Sequence, residues 1–169
     1  MRKLIAIVLA GICFAVTSFS PVSVKAFGAE NLINEVCVTA DGEQKQVKVI
    51  YMFDDGSQLL EGQPTVIAQT RGGVTAQKAY HHRNSDGNIL WTATVTGTFT
   101  YNGSTSACTS ASYNIQVYNS SWSEQSGSAY PSGNSAIADV VMARKLLFIV
   151  VETVPVTITL TCDKSGNLS

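Results

Sequence analysis

The chain holds two histidines, His81 and His82, and they are neighbours. Nucleophilic hydrolysis needs a serine or cysteine, an imidazole within reach of it and a carboxylate to orient the ring. Serine is plentiful here, but none stands in a Gly-x-Ser-x-Gly elbow. Adjacent residues of a strand also point to opposite faces, so at most one of the two imidazoles can join a single site. The pair is expected on the surface beside a hairpin tip. Glycoside hydrolysis needs two facing carboxylates. Asp41, Asp54, Asp55, Asp86 and Asp163 all stand in turn contexts near glycine, where aspartate serves local backbone hydrogen bonding, and Glu35, Glu61, Glu124 and Glu152 are scattered. Asn84-Ser85-Asp86-Gly87-Asn88-Ile89 imitates the middle of a calcium loop, yet His82 occupies the place of the first aspartate and Ala93 that of the bidentate glutamate. A hairpin turn is expected there instead. No catalytic residue, metal site or cofactor is assigned.

Exposed aromatics are the remaining route to a ligand, because a flat ring offers a large apolar face with a polar edge. Trp122 and Tyr130 are the ligand-binding candidates, since both lie in the polar, serine- and glycine-rich stretch Asn119 to Asn134, although a lone tryptophan in a sandwich is more often a packing centrepiece of the core. Cys37, Cys108 and Cys162 lie beyond the N-terminal leader, an odd number that allows one bridge and leaves three pairings open. Cys108 with Cys162 is preferred, as both sit at strand positions in the better-patterned half; such a link would stabilise the fold by about 4 kcal/mol. Three buried free thiols are the rival reading. No two cysteines have the spacing of metal ligands.

What must position these groups is antiparallel sheet. Trp91, Ala93, Val95, Gly97, Phe99 and Tyr101 hold one parity, and threonines from Thr92 to Thr100 hold the other. That period places one face in a core and a threonine face towards water. Asn102-Gly103 follows, a dipeptide suited to both corners of a type I′ turn. Further strands are expected over Val36 to Ala40, Gln46 to Phe53, Thr65 to Thr70, Val74 to His82, Ser104 to Tyr118, a short piece at Trp122, Ala136 to Arg144 and Val150 to Cys162. Ala29 to Glu35 is expected as one helical turn or a loose lead-in. In the second strand Val47, Val49, Tyr51 and Phe53 are expected to share a face. In the last strand Val154, Val156, Ile158, Leu160 and Cys162 face one way, and Pro155, which cannot donate to a ladder, predicts an edge or a bulge. Lys145-Leu146-Leu147-Phe148-Ile149 puts apolar residues at a hairpin connection, expected to fold over the end of the core or else to serve as a contact site.

Met1-Arg2-Lys3, the apolar run Leu4 to Phe19 and the small residues of Val24-Lys25-Ala26 predict a secretory signal peptide over 1–26, cleaved before Phe27. The run is short of the roughly 20 residues of a membrane span, so no transmembrane anchor is expected after cleavage. Removal of Arg2, Lys3 and Lys25 leaves 8 basic against 12 acidic residues, about −4. A mildly acidic surface with no basic cluster argues against nucleic acid. Residues 27–169 suffice for one domain with a core, best patterned over 74–169. Many short strands with turn signals every 8 to 12 residues predict an all-β, antiparallel β-sandwich, immunoglobulin-like or of a related Greek key.

The run Trp91 to Gly103 resembles a signature of small secreted proteins of Gram-positive, often gut, bacteria, and the pattern continues through Tyr118-Asn119-Ser120-Ser121-Trp122, Ser132-Gly133-Asn134 and Leu160-Thr161-Cys162-Asp163. That uncharacterised group implies an exported β-sandwich and carries over no catalytic residue. The expected function is therefore non-catalytic: binding or adhesion outside the cell, to a glycan or a cell-surface component. A purely structural secreted factor and an extracellular hydrolase are the alternatives.

Overall fold

Period-two alternation becomes ten antiparallel strands, with no helix among the described residues, in the computed structural model, which describes residues 34–38 and 44–169. The signal peptide expected at 1–26, the turn at Asp41-Gly42 and the thiol of Cys37 lie outside them. The strands are β1 (Asn34–Val38), β2 (Gln44–Met52), β3 (Gln58–Gly62), β4 (Thr65–Thr70), β5 (Gly73–Arg83), β6 (Ile89–Tyr101), β7 (Ser106–Val117), β8 (Trp122–Ser132), β9 (Ser135–Leu146) and β10 (Ile149–Thr161). Asn34 and Glu35, expected to end one helical turn or a loose lead-in, open β1 instead.

Two sheets form. One runs β1-β2-β3-β5-β6-β7 with β4 also on β5; the other runs β10-β9-β8. Gln58 to Glu61 face Arg83 to Tyr80 and Thr65 to Thr70 face Gln77 to Gly73, so β3 and β4 lie end to end along one edge of β5. Gln63-Pro64 parts them, a proline breaking the ladder where it has no N–H to give. The expected sandwich is present, but its connectivity is not the immunoglobulin-like or Greek-key order. β3 and β4 together take one strand's place beside β5, the remaining neighbours follow one another along the chain in both sheets, and the chain changes sheet once among the described residues, between β7 and β8. Short turns impose this meander, since each strand returns directly beside the last.

The inner faces meet in one core. Trp91, Ala93, Val95 and Phe99 of β6 are buried against Ala136, Ala138, Val140 and Met142 of β9 and Val154, Val156, Ile158 and Leu160 of β10. The closest approach is at Gly97, where an added Cβ would stand 2.7 Å from that of Ala136 and 2.5 Å from the Phe99 ring folded over it. Pro155 lies, as expected, on the edge strand of its sheet, and a bulge follows Val150.

Three local expectations are corrected. A bulge sets Val49 opposite Leu60 and Tyr51 opposite Leu59, with Ile50 as the extra residue. Val47 and Val49 therefore join Leu60 in a small cluster of their own, while Tyr51 and Phe53 pack on the main core. The Asn102-Gly103 corner is not a two-residue type I′ turn: Tyr101 pairs with Ser106 across a longer loop, and only Gly103 takes a positive φ, 84°. Asn102 Oδ1 accepts the N–H groups of both Ser104 and Thr105 while the Asn102 N–H donates to the Thr105 carbonyl, so side chain and backbone close the loop together. Third, Trp122 opens an eleven-residue strand, where a short piece between loops was expected.

The β9–β10 hairpin turns through two residues, Leu147 and Phe148, at φ 47° and 72°. Every other positive-φ residue described is glycine. A side chain there meets the following carbonyl, at a cost on the order of 1–2 kcal/mol per residue.

Two stability outcomes follow from this packing. Gly97→Ala should lower the free energy of unfolding by about 1–3 kcal/mol in a urea titration, because neither backbone can withdraw. Leu147→Asn combined with Phe148→Gly should raise it by about 2 kcal/mol, as the turn then holds residues that accept its geometry.

Candidate functional site

The chemistry-bearing residues divide between a buried end of the sandwich and an exposed sheet face. At the buried end stands His82, on the inward parity of β5 and 1% exposed. It packs against Phe53 at 5.1 Å, Trp91 at 5.2 Å and Trp122 at 5.0 Å between ring centroids. The histidines are thus not a surface pair. His81 is buried too, on the opposite face, with Nδ1 2.9 Å from the Thr92 hydroxyl. Strands flank this length of β5 on both sides and set side chains beside each ring, Leu60 and Thr92 at His81 and Leu59 and Trp91 at His82. Trp122 is likewise core at 5% exposure, so it has no free face for a sugar.

A serine and a carboxylate do gather at His82, in the wrong order for catalysis. Ser57 Oγ lies 3.2 Å from His82 Nε2, and Asp55 binds Ser57, accepting its backbone N–H at 2.9 Å. The Ser57 hydroxyl and backbone together hold the Asp55 carboxyl below its usual range. Either tautomer of the ring can make this contact, and Asp55 reaches the serine instead of the second ring nitrogen, Nδ1. That atom has no partner among the described residues. No carboxylate orients the ring through Nδ1, as a catalytic triad requires, and Ser57 is itself buried. The cluster closes the end of the core.

A second buried charge is equally committed. Lys78 points inward from β5, its ammonium 2.6 Å from Glu61 and 3.2 Å from the Thr159 carbonyl. Burial, aided by Glu61, pushes the neighbouring Tyr80 phenol up to about 12. Asn84 to Asn88 form the β5–β6 turn, with Asn84 Oδ1 accepting the Asn88 N–H at 2.8 Å. No cluster of three metal-ligating side chains occurs among the described residues.

Cys108 and Cys162 are free thiols in the structure, so the preferred bridge is not made there. The β8–β9 turn nevertheless brings them to one place, because the carbonyls of Gly133 and Asn134 accept the N–H groups of Cys108 and Cys162 respectively. Each thiol caps a local carbonyl, Ser110 for Cys108 and Asp163 for Cys162, and desolvation raises both above the ordinary thiol value.

The exposed face is the outer side of β8, β9 and β10. Ser128, Asp139 and Thr157 stand in register across the three strands, forming a straight row of polar side chains. Thr157 donates to Asp139 Oδ1 at 2.7 Å and the Tyr130 phenol donates to Oδ2 at 3.0 Å. Tyr130 is 43% exposed, and the hydrogen bond to Asp139 raises its pKa, since ionising the phenol would set two negative charges together. Ser126, Pro155 and Val141 continue the face in a shallow groove of about 330 Å³. Of the two aromatic candidates, the structure thus leaves Tyr130 at the surface. Asp139 was not singled out from the sequence, although it is the one aspartate of six outside a turn context. Its outward parity between Ile137 and Val141 was the available signal.

No protein-family model, curated protein or solved structure matches the chain.

Desolvation lowers the His82 pKa from 6.5 to about 4, with Asp55 opposing the shift. The unfolded chain then binds the proton more readily than the native one between those values, so stability falls as pH drops from 6.5 towards 4. The loss should reach about 3 kcal/mol at the lower limit. Urea titrations across this window should show that slope in the parent and a flatter one in His82→Phe.

Proposed function

We propose that this chain is a non-catalytic binding domain of the extracellular space, and that it takes a hydroxyl-rich ligand of the glycan class on the outer face of β8–β10. The observation that carries this reading is the Asp139 carboxylate held between the Tyr130 and Thr157 hydroxyls on a solvent-facing sheet. A carboxylate with spare lone pairs accepts sugar hydroxyls, and Ser126 and Ser128 supply adaptable donors and acceptors beside it. The half-exposed tyrosine ring offers an apolar face within the same patch. Catalysis on a glycan would need a second carboxylate facing the first. In the register of this face the rows beside Asp139 hold Val141 with Pro155 and Ile137 with Thr159, so no such partner adjoins it. The hydrolase alternative is disfavoured further by the burial of Ser57 and His82 and by the lack of a carboxylate on His82 Nδ1. Export is supported by the leader pattern of residues 1–26 and by the resemblance to secreted bacterial proteins.

A glycan array probed with the full chain tests the reading. Binding to a restricted set of glycans is expected, weakened about tenfold or more by Tyr130→Ala and by Asp139→Ala. An empty array, or affinities that both substitutions leave untouched, would remove the sheet face as a ligand site.

A further inference from the structure

We propose that the β9–β10 hairpin tip inserts into the surface of a phospholipid bilayer. Of twelve exposed large apolar side chains among the described residues, nine gather at one end of the sandwich: Leu146 to Val151 at the tip, with Met52, Val117 and Tyr118 at the same end. Phe148 is 99% exposed. The sequence left open whether this segment folds over the core; it does not.

The shape of the tip decides its occupant. β8 begins at Trp122, opposite Arg144, and the Lys145 N–H still reaches the Ser121 carbonyl, so from Leu146 onwards the two-stranded ribbon runs on without a neighbour. At about 3.3 Å per residue the tip stands roughly 7 Å clear of that last bond, within the depth to which amphipathic segments enter the headgroup and acyl boundary. Six consecutive apolar residues load both faces of the ribbon. A protein groove would cover one face and leave the other wet, whereas hydrocarbon surrounds both. Arg144 and Lys145 stand immediately behind the apolar segment, level with the phosphates of a bilayer that the tip has entered. Glu152 offsets part of this charge through its contact with Arg144 at 3.5 Å, and Asp54, Asp55 and Asp86 occupy turns at the same end. Apolar insertion therefore supplies the affinity, and a zwitterionic surface suffices.

The turn is the independent observation. At two positions that favour glycine or asparagine the chain places leucine and phenylalanine, and accepts the strain. Nothing in the packing of the sandwich needs either side chain, for both point into solvent. They serve a contact outside the molecule.

The test uses Phe148→Trp in the full chain with vesicles of phosphatidylcholine alone. Emission from the introduced indole should shift to the blue and be quenched by brominated phosphatidylcholine, while the parent, whose Trp91 and Trp122 are buried, changes little. A reporter at Thr157→Trp, on the face of β10, should be quenched about fivefold less because it stays above the lipid. Adding Ile149→Asp to the Phe148→Trp chain should reduce quenching about tenfold, with an unchanged unfolding midpoint showing that the fold is intact. These readouts are local to the tip, so attachment through any other segment would leave the emission of the Phe148→Trp reporter unshifted and overturn the proposal. A blue shift without vesicles, accompanied by a dimer in sedimentation velocity, would overturn it as well, by assigning the tip to a second copy of the chain.

Discussion

The separation between the two sheets is the constraint on which the rest of the molecule depends. At Gly97 and Ala136 the inner faces come closer than two ordinary side chains allow, and the Phe99 ring fills the space that a Cβ at 97 would take. Small residues at this contact let β9 settle across β6, which in turn sets the larger Trp91, Trp122, Met142 and Leu160 at the flanks of the core. Facing sheets must interdigitate to reach interior packing density, so a fixed spacing at one point propagates along both sheets. The edges are then joined by side chains: Tyr113 of β7 covers Gly127 of β8, and its phenol donates to Glu124 at 2.8 Å.

That geometry governs which polar groups are free to act. His82, Ser57, Lys78 and Glu61 lie in the layer between the sheets or at its margin, and each is engaged in holding the core shut. A buried polar group without a partner is costly, and these groups spend their hydrogen bonds within the core, with His82 Nδ1 left over among the described residues. Surface chemistry falls to positions of outward parity. Asp139, Tyr130 and Thr157 meet there because three strands in register place them side by side, though the chain separates them by up to 27 residues.

The β9–β10 tip departs from the internal consistency of the fold. Elsewhere the turns use glycine where the backbone turns left, and local preference agrees with global structure. At Leu147 and Phe148 the two disagree, and the apolar side chains also forgo burial. Natural chains tend to break such rules at sites that do something other than fold. The sheet face and the tip are separate features: one is a polar, hydrogen-bonded surface, the other an apolar protrusion.

Which residues share a face was legible before any coordinates. The alternation of Trp91 to Tyr101 and of Val154 to Cys162 named their buried sides correctly, and Pro155 marked an edge strand, because strand parity and the missing proline donor are local properties. β3 escaped notice for lack of alternation in Gln58-Leu59-Leu60-Glu61-Gly62, whose two leucines enter different clusters. It took the folded chain to decide for Trp122 between core and ligand face and to leave Tyr130 at the surface, to shift the faces of β2 at Ile50, and to set Asp139 beside two hydroxyls. Parity says that two residues point the same way; it does not say whether another sheet covers that side or which strand lies opposite. Those outcomes depend on contacts between segments far apart in the chain, whose pairing no local pattern encodes.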